Sequence, residues 1–289
     1  MKRNILKRTI CGLLCTLLLT LSFSFSALAS VRSSVMTPIS VKLDGKDVFN
    51  YHSENKAVLK DSVTYVPLRS FCDLMGGEVK WEEKTRTARV TALSIDLSAS
   101  EGAQYIIVND RALYCPGGIF ITDGALYVPV RVLAKAFGLE VEWRADENIG
   151  YVELTSGGAR LEHASDVYDA EVLYWLSRII SAESRGENLI GQIAVGNVVL
   201  NRTRSESFPD TVYDVIFDRK FGVQFTPSAN GTIYEKPAEI SVIAAKICLE
   251  GYTISDKILY FLNEAISTNM WVTNNRTYIM TLGNHAFYS

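Results

Sequence analysis

The stretch "SAESRGENLIGQIAVGNVVLNR" (residues 181–202) decides how the second half of the chain folds. Leu189, Ile190, Ile193 and Leu200 line one side of a helix, with Val195, Val198 and Val199 on others. A helix apolar nearly all round belongs in the middle of a domain. Gly191 and Gly196 let neighbours approach it closely. Upstream, Val172, Leu173, Leu176, Ile179 and Ile180 recur at helical spacing, and Glu183 falls in the middle of their face. Glu171, Ser177, Arg178 and Ser181 point the other way. Arg185-Gly186 breaks this first helix. A carboxylate on a buried face is costly unless it is paired, protonated or used. Partial desolvation would keep a proton on Glu183 near neutrality, as a general acid requires. An ion pair with Arg185 or Arg202, or a capping role for the next helix, competes with that reading.

Working outward, Asp166 is a candidate N-cap for the first helix. A later helix opens at Pro237, carries Ile240, Ile243, Ala244 and Ile247, and stops at Gly251. "KILYFLN" (257–263) is short and rich in large apolar residues, as a strand is. Residues 167–289 therefore form a mainly helical domain. "TSGGARLEHASD" (155–166) is small and polar and supplies a linker over 157–166.

Before it lies a repeat. "TYVPLRSFCDLMGGEVKW" (64–81) aligns with "LYVPVRVLAKAFGLEVEW" (126–143) at a constant offset of 62 residues. Tyr-Val-Pro-x-Arg, a glycine, a valine and a tryptophan fall in register. Such self-similarity marks duplicated units sharing one core. Each copy reads strand, short helix, strand: Pro67 and Pro129 suit a first helical turn, and Gly76 and Gly138 suit its end. Trp81 and Trp143 could stack on a sugar, but their place in a repeated strand favours packing. The fold class is thus α+β, with a duplicated β-α-β domain over residues 38–156 followed by the helical one.

Residues 1–29 read as a signal peptide. Lys2, Arg3, Lys7 and Arg8 precede an apolar run from Ile10 to Phe25, and Ala27-Leu28-Ala29 supplies a small-x-small cleavage site. A retained membrane anchor competes, since the run is nearly long enough to span. Removal leaves 25 Lys and Arg against 32 Asp and Glu, a net charge of −7. An acidic exported chain is unsuited to nucleic acid. Cys72, Cys115 and Cys248 then remain, an odd number at wide spacing that makes no disulfide framework; a Cys72–Cys115 pair competes with buried free thiols. The histidines, His52, His163 and His285, share no ligand spacing, so no metal site and no cofactor is expected.

Two resemblances add to this. Residues 38–156 resemble the copper amine oxidase N-terminal-like (stalk) domain of exported bacterial proteins, through the paired V-P-[LV]-R and E-V-x-W elements. Nothing in them supplies copper ligands, and they read as a spacer or a module contacting wall or protein. Residues from about 170 to 288 resemble the SleB/CwlJ-type cell wall hydrolases, the spore cortex-lytic enzymes. The carrying residues are the 181–202 stretch, "FPDTVYDVI", "GVQFTP", "LYFLN" and "GNHAFY", in the family's order. That resemblance implies a compact lysozyme-like fold, peptidoglycan as partner and substrate, and a secreted, wall- or spore-associated protein. It puts the catalytic acid on Glu183. It also implies a cleft with Gln224 and Phe225 offering an amide and a ring, Asn263 and Trp271 nearby, and Asn284, His285 and Tyr288 from the C-terminus; core positions for Phe225 and Tyr288, and a turn held by its own side-chain bonds at Asn284-His285, compete with that reading. Glu187 joins this substrate-binding set, capping or orienting rather than reacting. Where the family commonly has Pro after the Asn, Glu264 stands here.

No second carboxylate is evident, since Asp210, Asp214 and Asp218 read as surface residues of a short helix. Retaining and inverting glycosidases need a pair. With one acid, the sugar's own C6 hydroxyl displaces the leaving group, so a lytic transglycosylase is favoured over a muramidase using water. A non-catalytic wall-binding protein is opposed by Glu183 and "GNHAFY". A zinc amidase is opposed by the lone His285 of this domain.

Overall fold

The computed structural model describes residues 35–52, 56–146, 149–267 and 270–289. The expected signal peptide lies outside them. β1 (Thr37–Leu43), β2 (Lys46–Phe49), β3 (Ala57–Lys60) and β4 (Val63–Pro67) lead into the short helix α1 (Leu68–Leu74). β5 (Glu78–Glu82), β6 (Thr87–Ala92), β7 (Ile95–Ser100), β8 (Tyr105–Val108) and β9 (Arg111–Tyr114) follow as a meander. β10 (Phe120–Thr122), β11 (Ala125–Pro129), α2 (Val130–Phe137), β12 (Leu139–Asp146) and β13 (Ile149–Ser156) complete the strand-rich half.

Both copies of the repeat place their Val-Pro at the same junction. Pro67 and Pro129 stand one residue before the helices, in extended backbone. There the missing N–H costs the helix nothing. Gly138 ends α2 in the left-handed region at φ 70°. β4 and β11 pair antiparallel, with Tyr65 opposite Pro129, Val66 opposite Val128 and Pro67 opposite Tyr127. Because Tyr65 and Tyr127 are equivalent in the repeat, this register sets a local twofold between Val66 and Val128. Beyond it the copies diverge. β12 ends one sheet, ordered β10-β11-β4-β3-β1-β13-β12 with β2 on β1, whereas β5 begins a second, β5-β6-β7-β8-β9.

That divergence corrects the expectation for the tryptophans. Trp81 is 37% exposed and Trp143 55%. Each lies on an edge strand of its sheet.

The junction between the halves lies against the strands. The Leu161 N–H donates to the Ala136 carbonyl at 3.1 Å, and the Leu161 carbonyl accepts from Asn109 Nδ2 at 2.7 Å. A single turn, α3 (Ala164–Val167), follows.

The helical half contains α4 (Ala170–Ser184), α5 (Leu189–Thr203), α6 (Val212–Phe217), α7 (Pro227–Asn230), a 3₁₀ turn (Thr232–Tyr234) and α8 (Glu239–Leu249). β14 (Tyr260–Leu262), α9 (Trp271–Asn275), β15 (Tyr278–Leu282) and β16 (His285–Tyr288) follow, pairing in the order β14-β16-β15. Asp169, not Asp166, caps α4, accepting from the Glu171 and Val172 N–H groups. Asn188 caps α5. α5 is buried along nearly its whole length and crosses α4 and α8 at Gly196. A Cβ there would come within 2.7 Å of Cys248 Sγ and 2.8 Å of Ile180 Cδ1. Ser177 and Ser181, expected to face outward, are buried. Their hydroxyls find partners that make burial tolerable: Ser177 donates to the Tyr174 carbonyl, and Ser181 accepts from the Ala238 N–H.

The two halves share one compact unit, residues 36–289. Ala112 is buried in the helical core, with Tyr105, Ile107 and Tyr114 packed against it. Beside this seam Arg111 forks onto Glu250 at 2.6 and 2.9 Å, and Lys135 and Tyr168 reach the same carboxylate. Among the described residues no helix is long and apolar enough to cross a membrane. Cys72, Cys115 and Cys248 are free and buried.

Candidate active site

Glu183 is the last residue but one of α4, where the inward stripe of that helix runs out. Its side chain is half-buried. Burial pushes its carboxyl up to about 7, and the negative end of the helix dipole acts in the same sense. Neither competing partner reaches it. Arg185 pairs with Glu235 at 3.1 Å and donates to the Ser181 carbonyl. Arg202 donates to the Leu259 carbonyl at 2.8 Å and is ringed by Phe208, Phe225 and Tyr260. Burial in that cage lowers Arg202 to about 10. Among the described residues Glu183 makes no hydrogen bond or ion pair.

Its open side faces a groove of about 360 Å³. Thr226, Asn230 and Thr232, from α7 and its flanks, line it together with Arg185 and Glu235. Nothing in the sequence pattern pointed to Glu235. It is brought there by the 3₁₀ turn, fifty residues from the Arg185 it pairs with.

The remaining residues divide into separate groups. Glu187 is turned inward, its carboxylate accepting from the Asn284 backbone N–H and, at 2.8 Å, from its side-chain amide. A Cβ at Gly283, whose φ is 59°, would collide with that carboxylate. Glu187 thus ties the β15–β16 turn to the α4–α5 corner. His285 Nδ1 stands 3.9 Å from the same carboxylate. Burial lowers the His285 pKa against the opposing pull of Glu187, so its ring is neutral at pH 7. The ring meets Phe261 edge-on at 5.3 Å.

Phe225 is 2% exposed and packed between Arg202 and Phe261, which leaves no face for a sugar. Gln224 beside it is only half-buried, its amide donating to the Gly222 carbonyl at 3.4 Å. Tyr288 is buried and donates its hydroxyl to Glu264. Asn263 accepts from the Ala265 N–H and shapes its own loop. Trp271 is half exposed, near Tyr260 and Arg276. The polar residues that clamp the fold lie along α5 instead. Asn197 bonds to the Tyr252 carbonyl and the Ile254 N–H, and Asn201 to the Ser255 and Ile258 carbonyls. Among the described residues no three His, Cys, Asp or Glu side chains are grouped as metal ligands.

Residues 186–288 match the Cell Wall Hydrolase family. The chain carries a cell wall hydrolase domain. Residues 42–152 match the copper amine oxidase N-terminal domain. The hydrolase domain is 36% identical over 120 residues to the spore cortex-lytic enzyme of Bacillus cereus, spanning 42% of this chain and 45% of that one. It is 36% identical over 112 residues to the spore cortex-lytic enzyme of Bacillus subtilis, spanning 39% and 35%. The chain thus spans less than half the length of these curated relatives. Among solved structures it is similar to the catalytic domain of the germination-specific lytic transglycosylase SleB from Bacillus anthracis. That likeness has 35% identity, covers 42% of this chain and 97% of that one, and has a TM-score of 0.39.

Proposed function

We propose that the protein cleaves the glycan strand of peptidoglycan as a lytic transglycosylase, with Glu183 as general acid and then general base. The hydrolase-domain match supplies the substrate class, and the names of the curated relatives describe enzymes of the spore cortex. The matched span opens at Gly186, so the choice of acid rests on geometry. The carrying observation is one half-buried carboxyl, without a partner among the described residues, held near neutrality at an open groove.

The protonated Glu183 donates to the glycosidic oxygen as the C1–O bond breaks. The resulting carboxylate takes the proton from the C6 hydroxyl of the same sugar while that oxygen bonds C1. The products are a free 4-hydroxyl end and a 1,6-anhydro sugar, and Glu183 is protonated again. Residues 1–29 would act as the export signal, residues 38–156 as a stalk domain and residues 167–289 as the catalytic domain. Glu187, with Asn284, would hold the corner from which Glu183 projects.

Glu235 favours a second reading. This second carboxylate lining the same groove would instead activate water, giving a muramidase. Heavy-oxygen water separates the two. The first reading requires 1,6-anhydro ends without label, whereas labelled reducing ends would establish water as the nucleophile.

A further inference from the structure

Two surface grooves of the strand-rich half are copies of one another. One, of about 710 Å³, is lined by Pro129, Arg131, Val141 and Trp143. The other, of about 410 Å³, is lined by Pro67, Arg69, Val79 and Trp81, which are the same four residues 62 positions earlier. The local twofold at Val66 and Val128 also accounts for what closes them. Each groove is closed by the hairpin of the opposite copy, the turn at Ser62 for the first and the turn at Gly124 for the second. Both turns carry two successive left-handed residues. In each copy the arginine is fixed to a carbonyl of the tryptophan's own strand, Arg69 to Val79 at 3.0 Å and Arg131 to Val141 at 3.4 Å.

The copies differ in how open the indole is. Arg86 lies over the Trp81 ring at 5.8 Å, and Glu83 accepts from its N–H. Trp143 instead rests against Gly150, where a Cβ would collide with the ring, and its remaining surface is exposed. The Trp143 groove extends to the seam, where the Tyr114 and Tyr252 rings meet at 4.3 Å, tilted by 37°. Its rim carries Glu142 and Lys135, each already positioned, by Arg144 and by Glu250.

We propose that the Trp143 groove is a second glycan-binding site, taking an N-acetylated β-linked glycan strand, with the Trp81 groove as a weaker duplicate. A pyranose has an apolar face of C–H groups and a rim of hydroxyls. An open indole on an apolar floor with fixed charged side chains at the edge matches both. The acidic chain disfavours polyanions. Two like sites on one molecule suit a polymer of identical units. The choice of glycan rests on the catalytic reading above.

The test uses the mature chain with Glu183→Gln, so that ligand is bound but not consumed. Its binding is measured by co-sedimentation with purified sacculi and with amidase-treated glycan strands free of peptide. Adding Trp143→Ala should weaken both at least tenfold, Trp81→Ala less, and the pair should weaken both further, with circular dichroism unchanged. Unaltered sedimentation of the Trp143→Ala protein overturns the proposal. So does binding to sacculi without binding to peptide-free strands, or a dimer by light scattering that Trp143→Ala dissolves. In the Glu183-intact background Trp143→Ala should leave turnover of short soluble glycan fragments unchanged. If no glycan is cleaved at all, the catalytic reading fails, while the sedimentation result still decides this one.

Discussion

Glu183 keeps its proton up to about pH 7 because its surroundings give an anion nothing to bind, and that has a cost readable in stability. Its folded carboxyl ionises near 7, against about 4.3 in an unfolded chain. Between those values the folded state holds a proton that the unfolded state has released, so stability falls as pH rises. Glu183→Gln is therefore expected to be more stable than wild type at pH 8, by roughly 1–3 kcal/mol, and equal to it near pH 4; thermal melts at both pH values check this. The same substitution should lower turnover by about 10²- to 10⁴-fold, since it removes the proton donor. Wild-type kcat/KM should fall as pH rises through about 7, where the acid form is lost; a flat profile there would exclude Glu183 as the acid. Glu183 was legible in the sequence because helical period alone put it on the inner face. Phe225 and Tyr288 were not, since a motif does not distinguish a ring that faces solvent from one that fills a core. Glu235 carried no signal, because a single turn delivers it from a distant stretch.

Between elements, the contact that most shapes the site joins the α4–α5 corner to the β15–β16 turn. Gly283→Ala should destabilise by about 1–3 kcal/mol, through its left-handed backbone and through collision with Glu187. Adding Glu187→Ala removes the collision but not the backbone cost. Urea titrations of both single variants and the double should therefore show a double variant less destabilised than the sum. The helices α4, α5 and α8 were readable because each carries an apolar period and a recognisable stop. The repeat was readable as strand, helix, strand. Its assembly was not, for identical motifs end in two different sheets, and register with distant partners decides which.

In the molecule as a whole, Glu250 is the joint between the halves. Burial alone would raise its carboxyl, but hydrogen bonds from Arg111, Lys135 and Tyr168 outweigh that and hold it below the ordinary range. Its contribution is thus complete above about pH 4.5 and lost as pH falls through the folded value. Glu250→Ala leaves a largely buried Arg111 unpaired and should cost about 3–5 kcal/mol, measured by urea unfolding at pH 7. At pH 3 the penalty should shrink. A fragment of residues 164–289 should keep its helices but melt lower than the whole chain, because the face that met Ala112 and Tyr114 is bared. The strand-rich half has a further property, set by the parallel pairing of β1 with β13, Ser40 with Tyr151 through Leu43 with Leu154. The first strand made is joined by the last, more than a hundred residues later. During synthesis the sheet therefore stays open until residue 156 has emerged. Closure of so long a loop is slow compared with local helix packing.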